Sequence, residues 1–265
     1  MNLKPQKKSA FCCVERNDVS LIKAPLPPGL LYFPDWLSDA EHDSAVSEID
    51  SHEFDTGLTR RVQHYGARYD YVSAQIAKIG SALPIPKNLY LIAERLFNEC
   101  NFERIPEQVI VNEYRSDQGI AAHTDKDSFG PMVATISLIE NWYMTFLSPD
   151  RREAIDVLLA KNSLAIMTGA SRSQWTHEIK KRKNERIGGL IIPRIRRLSM
   201  TFRTINPPRY WQRVVDGTTE GIYRLENGKF DKYAQNRWQI SDRYETKLDP
   251  EFIEINEAEA NKLIG

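Results

Sequence analysis

The sequence predicts a mainly β fold of the α+β class: a double-stranded β-helix, or jelly roll, with flanking helices on its N-terminal side and a small C-terminal β-meander. Three observations carry this expectation. From Val109 onward, alternating and β-branched runs (VIVNEY, MVATISLI, WYMTFLS, SLAIMTG, WTHEI, GGLIIP and RLSMTFRTI) are separated by Gly, Pro, Asn and Asp. Short strands at that density suit two facing sheets. Ahead of them lie two stretches with apolar residues at helical spacing, and behind them INPPRYWQ marks a boundary with paired prolines. A main domain over 1–206 and an appendage over 207–265 follow.

In chain order, FCCV and VSLIKA read as short extended runs of a leader that ends at Pro25, Pro27, Pro28 and Gly29. LLYF is strand-like. A helix then starts at Ser38 or Asp39, with Ala40, Ala45, Val46 and Ile49 as its apolar stripe. Leu89, Leu91, Ile92, Leu96 and Phe97 mark a second helix over Lys87 to Cys100. Both helices are expected to pack outside a sheet. After the strand-rich core, TEGIYRLENGKFDKYAQNRWQIS reads as a meander with a hairpin turn at ENGK, followed by a strand and a terminal helix starting near Asn256.

Composition excludes several classes. Acidic and basic residues balance at 36 each, so nucleic acid would have to be held by local patches. Cys12, Cys13 and Cys100 make neither a disulfide framework nor a zinc pattern, which fits a reducing compartment. No apolar run approaches the ~18 residues that span a bilayer, so no membrane partner is expected. The polar start, Met1 to Lys8, lacks the apolar core of a signal peptide, and a cytoplasmic location is the expectation.

The chemistry concentrates between Val109 and Arg203. In an extended strand residues two apart share a face, so His123 and Asp125 are expected side by side, with His177 arriving from a later strand. Two imidazoles and one carboxylate that leave three positions open form the ligand set of non-haem Fe(II) oxygenases. Arg197 and Arg203, six apart with Ser199 and Thr201 between them, share a strand face and offer a fork for carboxylates. Asn112 and Tyr114 add an amide and a phenol. A small dicarboxylate that also chelates iron fits this lining.

N-x-Y, H-x-D-x-D, a distant His and R-x5-R, in the order Asn112/Tyr114, His123/Asp125/Asp127, His177, Arg197/Arg203, resemble the AlkB family of Fe(II)- and 2-oxoglutarate-dependent dioxygenases. The match covers roughly Arg60 to Thr204. One departure is visible: many members carry Asn between the arginines, and this chain has Ser199. The resemblance implies Fe(II) on His123, Asp125 and His177, with O₂ as the oxidant. It places 2-oxoglutarate on Asn112, Tyr114, Arg197, Ser199 and Arg203, with Arg203 on the far carboxylate, and it implies a nucleic-acid partner.

Oxidative demethylation of an N-alkylated base in DNA or RNA is the leading expectation. Its rivals are hydroxylation of a modified wobble uridine in transfer RNA, a protein or small-molecule substrate for the same site, and a binding module without turnover. By the same resemblance, RRVQHYGARYDY (Arg60 to Tyr71) forms a lid that brings His64, Tyr65 and Tyr69 to an unpaired base. Asp127 meets the base edge, and Arg172 and Trp175 approach the nucleotide. KKRKNER, Lys180 to Arg186, is expected at a hairpin tip near the metal-side opening, where it could neutralise phosphates.

Overall fold

The computed structural model describes residues 25–67, 69–70, 75–76, 82–206, 208–226, 229–240 and 251–265. The leader runs FCCV and VSLIKA and the side chains of Tyr69 and Tyr71 lie outside the described residues, as does the Asn227–Gly228 pair of the ENGK turn. In chain order the elements are β1 Leu30–Phe33, α1 Asp39–Asp50, β2 Arg61–Tyr65, β3 Tyr69–Asp70, β4 Gln75–Ile76, α2 Lys87–Glu99, β5 Gln108–Arg115, β6 Ile120–His123, β7 Phe129–Leu138 and β8 Trp142–Leu147. They continue as β9 Ala154–Leu159, β10 Leu164–Met167, α3 Gly169–Ser173, β11 Thr176–Ile179, β12 Asn184–Ile187, β13 Leu190–Pro193, β14 Arg196–Ile205, β15 Arg209–Val215, β16 Thr218–Glu226, β17 Lys229–Ala234, β18 Arg237–Ile240, β19 Phe252–Ile255 and α4 Glu257–Ile264.

The chain divides into two compact units, the second made of Asp70–Ile76, Lys126–Ser128 and Ile205–Gly265. In the first, a six-stranded sheet of order β1-β10-β7-β14-β5-β2 accompanies a four-stranded sheet of order β6-β11-β8-β9. Strand alternation sorts the six-stranded sheet into two faces. Leu198, Met200 and Phe202 of β14, with Val109 and Val111 of β5 and Ala134, Ile136 and Leu138 of β7, pack with Leu89, Ile92 and Leu96 of α2 and with Ala45 and Ile49 of α1. The opposite face brings Tyr114, Val133, Ala165 and Met167 together with Trp142, Met144 and Phe146 of β8. That second cluster is the jelly-roll interior, and the odd-numbered residues of β14 belong to its face.

The helices form where expected, with their stripes shifted. Ser38 caps α1 in a capping box with Glu41, but the buried residues are His42, Ala45 and Ile49 while Ala40 is exposed. In α2 the buried set is Leu89, Ile92, Ala93 and Leu96, and Leu91 and Phe97 are exposed. Pro86 at the N-cap has no side-chain acceptor. Glu48 of α1 supplies one instead, its Oε2 accepting from the Asn88 and Leu89 amides at 2.8 and 3.3 Å, a carboxylate at the positive end of a helix.

Glu113 ties the edge of this sheet. Its side chain is fully enclosed, and it accepts from Arg61 Nε at 2.5 Å, Arg196 Nε at 2.8 Å and Arg115 Nη2 at 3.2 Å. Burial alone would raise its pKa. The hydrogen bonds from Arg61, Arg115 and Arg196 prevail and hold it at about 2. A carboxylate depressed in the folded state stabilises fully above its unfolded pKa near 4.5, and that contribution is lost as pH falls toward 2. Glu113→Gln is therefore expected to lower stability at pH 7 by about 2–3 kcal/mol, screening by the half-exposed arginines included. Its urea-unfolding free energy should lose the fall between pH 4.5 and 2; an unaltered acid limb would contradict this.

The second unit holds a five-stranded antiparallel sheet of order β18-β17-β16-β15-β19 and α4. Asp216 and Gly217 take positive φ (48° and 75°) between Val215 and Thr218, which is the two-residue hairpin turn that matches strand twist. Glu226 pairs with Lys229 across the expected ENGK hairpin. Asn256 caps α4 in a capping box with Glu259. Tyr210, Ile222 and Ala260 form one small core, and Trp211, Tyr223 and Phe230 another. Among the described residues no helix is long and apolar enough to cross a membrane.

Candidate active site

One strand pairing and one loop place the predicted ligands. His123 closes β6 and pairs across the ladder with His177 of β11, their ring centroids 4.4 Å apart. Asp125 lies two residues beyond the end of β6, in irregular chain, so its approach to His123 comes from a loop and not from strand alternation. Its Oδ2 stands 3.8 Å from His177 Nε2, and its Oδ1 lies 2.5 Å from Arg203 Nη2. Burial alone would raise the Asp125 carboxyl, but Arg203, with His177 and His123 behind it, holds its pKa below the usual range. Burial pushes His177 down to about 4 against the pull of Asp125, so its imidazole is neutral at pH 7.

Among the described residues, no three His, Cys, Asp or Glu side chains stand as a ready-made metal cluster; Asp125 gives one oxygen to Arg203. The donor set nonetheless fits a divalent cation. His123 Nδ1 lies 2.8 Å from the Ala121 carbonyl, a bond that makes Nδ1 the donor and leaves the lone pair on Nε2, the usual outer support of a metal-binding imidazole. Asp125 Oδ2 is buried without a hydrogen-bond partner and faces a neutral imidazole nitrogen. A buried carboxylate oxygen without a hydrogen-bond partner, 3.8 Å from His177 Nε2, is what a cation between the two would satisfy.

The residues expected to hold a carboxylate line the interior face. Register sets Arg197 opposite Tyr114 and Ser199 opposite Asn112 on neighbouring strands. Arg197 is fully buried; burial lowers its pKa to about 10, although Tyr114 favours the cation. Its Nη2 donates to Ser137 Oγ at 2.8 Å, while Nε and Nη1 have no hydrogen-bond partner. Asn112 accepts from Arg60 Nε at 2.8 Å, which keeps its amide nitrogen as the donor available to a carboxylate. Arg203 lies over the Phe129 ring and donates to Gln108 Oε1 at 3.2 Å. Arg203 thus stands beside Asp125, and Arg197, six residues along the strand, is the deep arginine. This reverses the expected assignment of Arg203 to the far carboxylate.

Several residues expected at the substrate lie elsewhere. Tyr65 is buried in the helix-side core and donates to Gln63 Oε1, because β2 pairs with β5 and alternation turns Tyr65 away from the interior. His64, its neighbour, shares the face of Asn112 and is half-buried. Tyr69 lies in β3. Trp175 is only 6% exposed within the interior cluster, too enclosed to stack on a base. Asp127 is exposed in the loop after β6, its carbonyl accepting from Asn206; the strand ends at His123, so alternation does not carry Asp127 onto the face of Asp125.

Lys180–Lys183 connects β11 to β12, and the hairpin tip is Gly188–Gly189. From His177 the strand passes Ile179 opposite Ile120, and the basic run begins at the next residue, Lys180.

Arg172 is the largest correction. It is buried, and its Nε, Nη1 and Nη2 donate to the carbonyls of Gly130, Asp125 and Phe129 at 3.3, 2.9 and 3.2 Å. Three groups fastened to main-chain oxygens make it a strut that fixes Asp125, not a nucleotide contact. Arg172→Lys keeps the charge but loses the planar fork. It is expected to weaken Mn(II) binding, read by the free-ion paramagnetic resonance signal, by roughly 10–100-fold, the effect typical of outer partners of metal ligands. Unchanged Mn(II) affinity would reduce Arg172 to a packing residue. Ser137, Gln108 and Glu113 were not foreseen; each becomes visible only once strand register is known.

A model of the 2OG-Fe(II) oxygenase superfamily matches residues 29–203. The chain is 33% identical over 196 residues to the tRNA (carboxymethyluridine(34)-5-O)-methyltransferase ALKBH8 of Mus musculus, covering 67% of this chain and 29% of that protein. It is 28% identical over 212 residues to the alkylated DNA repair protein ALKBH8 homolog of Arabidopsis thaliana, covering 71% and 61%. The chain thus spans less than two thirds of the length of these relatives. In fold it is similar to the solved structure of OsALKBH1, with a TM-score of 0.54 and 19% identity, covering 68% of this chain and 100% of that one. The chain belongs to the 2OG-Fe(II) oxygenase superfamily, and within it to the AlkB family, and it carries a dioxygenase domain that works with Fe(II), 2-oxoglutarate and O₂.

Proposed function

We propose that this domain hydroxylates a carbon on a modified nucleobase, with a base in transfer RNA as the first substrate to test. The observation that carries the reading is the pairing of His123 with His177 beside a buried Asp125 whose neighbour is Arg203. Three candidate metal ligands and an arginine suited to a carboxylate thus stand together, which supports the reading. The relatives' names, a transfer-RNA carboxymethyluridine enzyme and an alkylated-DNA repair protein, support a nucleobase as the target.

In this reading His123 Nε2, His177 Nε2 and Asp125 hold the iron. Fe(II) with 2-oxoglutarate and O₂ supplies the oxidation: one oxygen atom enters succinate as CO₂ leaves, and the other enters a C–H bond of the substrate. The protein's part is placement. Arg203 receives the carboxylate of 2-oxoglutarate nearer Asp125, and Arg197 the deeper one, where two guanidinium nitrogens await acceptors. Asn112, Tyr114 and Ser199 complete the lining from the facing positions. The dry interior around Met144, Phe146 and Trp175 excludes water from the co-substrate.

Oxidative demethylation is the second reading, supported by the alkylated-DNA repair protein among the relatives; in it an N-hydroxymethyl product loses formaldehyde. The test is incubation with Fe(II) and 2-oxoglutarate on total transfer RNA and on methylated DNA and RNA oligonucleotides, followed by nucleoside mass spectrometry and succinate measurement. A uridine derivative gaining one oxygen supports the first reading, and a lost methyl group the second. Succinate release stimulated by none of the nucleic acids would overturn both.

A further inference from the structure

The β12–β13 hairpin is a surface the site does not use. Its strands pair from Asn184↔Pro193 to Ile187↔Leu190 across a Gly188–Gly189 turn with positive φ at both glycines. It is a sheet of two strands only, so neither outer edge pairs with another described strand. All four residues of β13 are exposed, Leu190 at 69% and Ile191 at 63%, and Ile195 beyond them at 71%. Isolated two-stranded sheets are marginal in water, yet this one is anchored. Arg194, buried at its base, pairs with Glu185, lies over the Trp142 ring and donates to the Lys180 carbonyl.

Beside the hairpin a groove is lined by Ile139, Trp142, Ile187, Ile192, Pro193 and Ile195, with Glu140, Asn141, Lys161 and Glu185 among them. The charge on the hairpin and on the run that leads into it, outside the groove, is lopsided. Lys180 is matched by Asp156 and Arg182 by Glu185, whereas the exposed Lys181, Lys183 and Arg186 have no ion pair among the described residues.

We propose that this hairpin and its groove form a docking surface for an extended, acidic segment of a partner protein, which adds a strand to the hairpin and seats an apolar side chain in the groove. Open strand edges supply main-chain hydrogen bonds, and pockets beside them select side chains. The three unmatched cations select acidic flanks. Other occupants fit less well. A lipid interior would leave the open edges without hydrogen-bond partners at several kcal/mol per group. Nucleic acid would find aliphatic side chains at the hairpin where stacking needs rings. A second copy paired through a two-fold axis would set Lys181, Lys183 and Arg186 against themselves.

The test uses the full chain and a fluorescein-labelled peptide of alternating valine and threonine flanked by aspartates, read by anisotropy. Controls are the same peptide with lysine flanks, phosphatidylserine vesicles and a single-stranded oligonucleotide. The aspartate peptide is expected to bind at least roughly 10-fold more tightly than the lysine peptide. Ile191→Asp is expected to abolish binding, and the double variant Lys183→Glu/Arg186→Glu to invert the preference. Both variants should keep their melting temperature and their substrate-free 2-oxoglutarate turnover. Equal binding of the two peptides, an uninverted preference, tighter binding to vesicles or oligonucleotide, or a dimer by light scattering that Ile191→Asp dissociates would each overturn the proposal.

Discussion

Arg197→Met is expected to make the ligand-free protein more stable and the enzyme nearly inactive. Arg197 is fully buried, keeps one side-chain hydrogen bond, to Ser137, and has two nitrogens without acceptors. Burial lowers its pKa from 12.5 to about 10, so the fold disfavours the cation by about 3 kcal/mol at neutral pH. The sign follows: a cation whose folded pKa is depressed costs stability below that value, and the cost disappears only as pH rises through 10 toward 12.5. Methionine keeps much of the volume, removes the buried charge and gives up the Ser137 bond, worth about 1 kcal/mol. The net gain should be about 1–2 kcal/mol, seen as a higher melting temperature. The same change leaves a buried carboxylate of 2-oxoglutarate without its cation, and the Michaelis constant should rise roughly 100-fold or more. A variant that is less stable, with an unchanged Michaelis constant, would make Arg197 a strut.

Asp125→Ala carries the largest expected loss. It removes a proposed metal ligand and strands Arg203, whose side chain is only 12% exposed. Breaking one side of a buried ion pair costs about 3–5 kcal/mol, so the melting temperature should fall along with activity. Turnover of 2-oxoglutarate should drop below detection at any added Fe(II). Asp127→Ala separates the two carboxylates. Asp127 is exposed, in the loop after β6, so its loss should preserve both iron binding and substrate-free 2-oxoglutarate consumption. Activity lost with Asp127→Ala and kept with Asp125→Ala would show the wrong carboxylate on the metal.

The legible parts were those written in short-range patterns. Period-two runs from Val109 to Thr204 announced the sheets, and the even offset of Arg197 and Arg203 gave their shared face, which the pairing with Tyr114, Asn112 and Gln108 reproduces. Helix existence followed from Ser38 or Asp39 as the start of α1 and from the apolar repeats of α1 and α2, but the stripes were mis-phased. Leu91 and Phe97 are as apolar as Leu89 and Leu96, and only the sheet decides which side of α2 is covered.

Longer-range facts were not legible. Tyr65 looked like a lid residue because it sits among arginines and tyrosines; its facing depends on the register of β2 against β5. That Arg172 serves three carbonyls requires the loop from Asp125 to Gly130 to fold back onto α3, which no local pattern encodes. The basic run drew attention from the Gly188–Gly189 pair, a stronger turn signal than charge.

An anaerobic absorption titration tests the central claim most directly, because a charge-transfer band between Fe(II) and chelated 2-oxoglutarate requires both in one enclosure. The band is expected in the native chain only when both are present, to weaken sharply in Arg197→Met at the same 2-oxoglutarate concentration, and to be absent in His177→Ala and Asp125→Ala. A band of native strength and affinity in either ligand variant would contradict the assignment of His123, Asp125 and His177 to the metal.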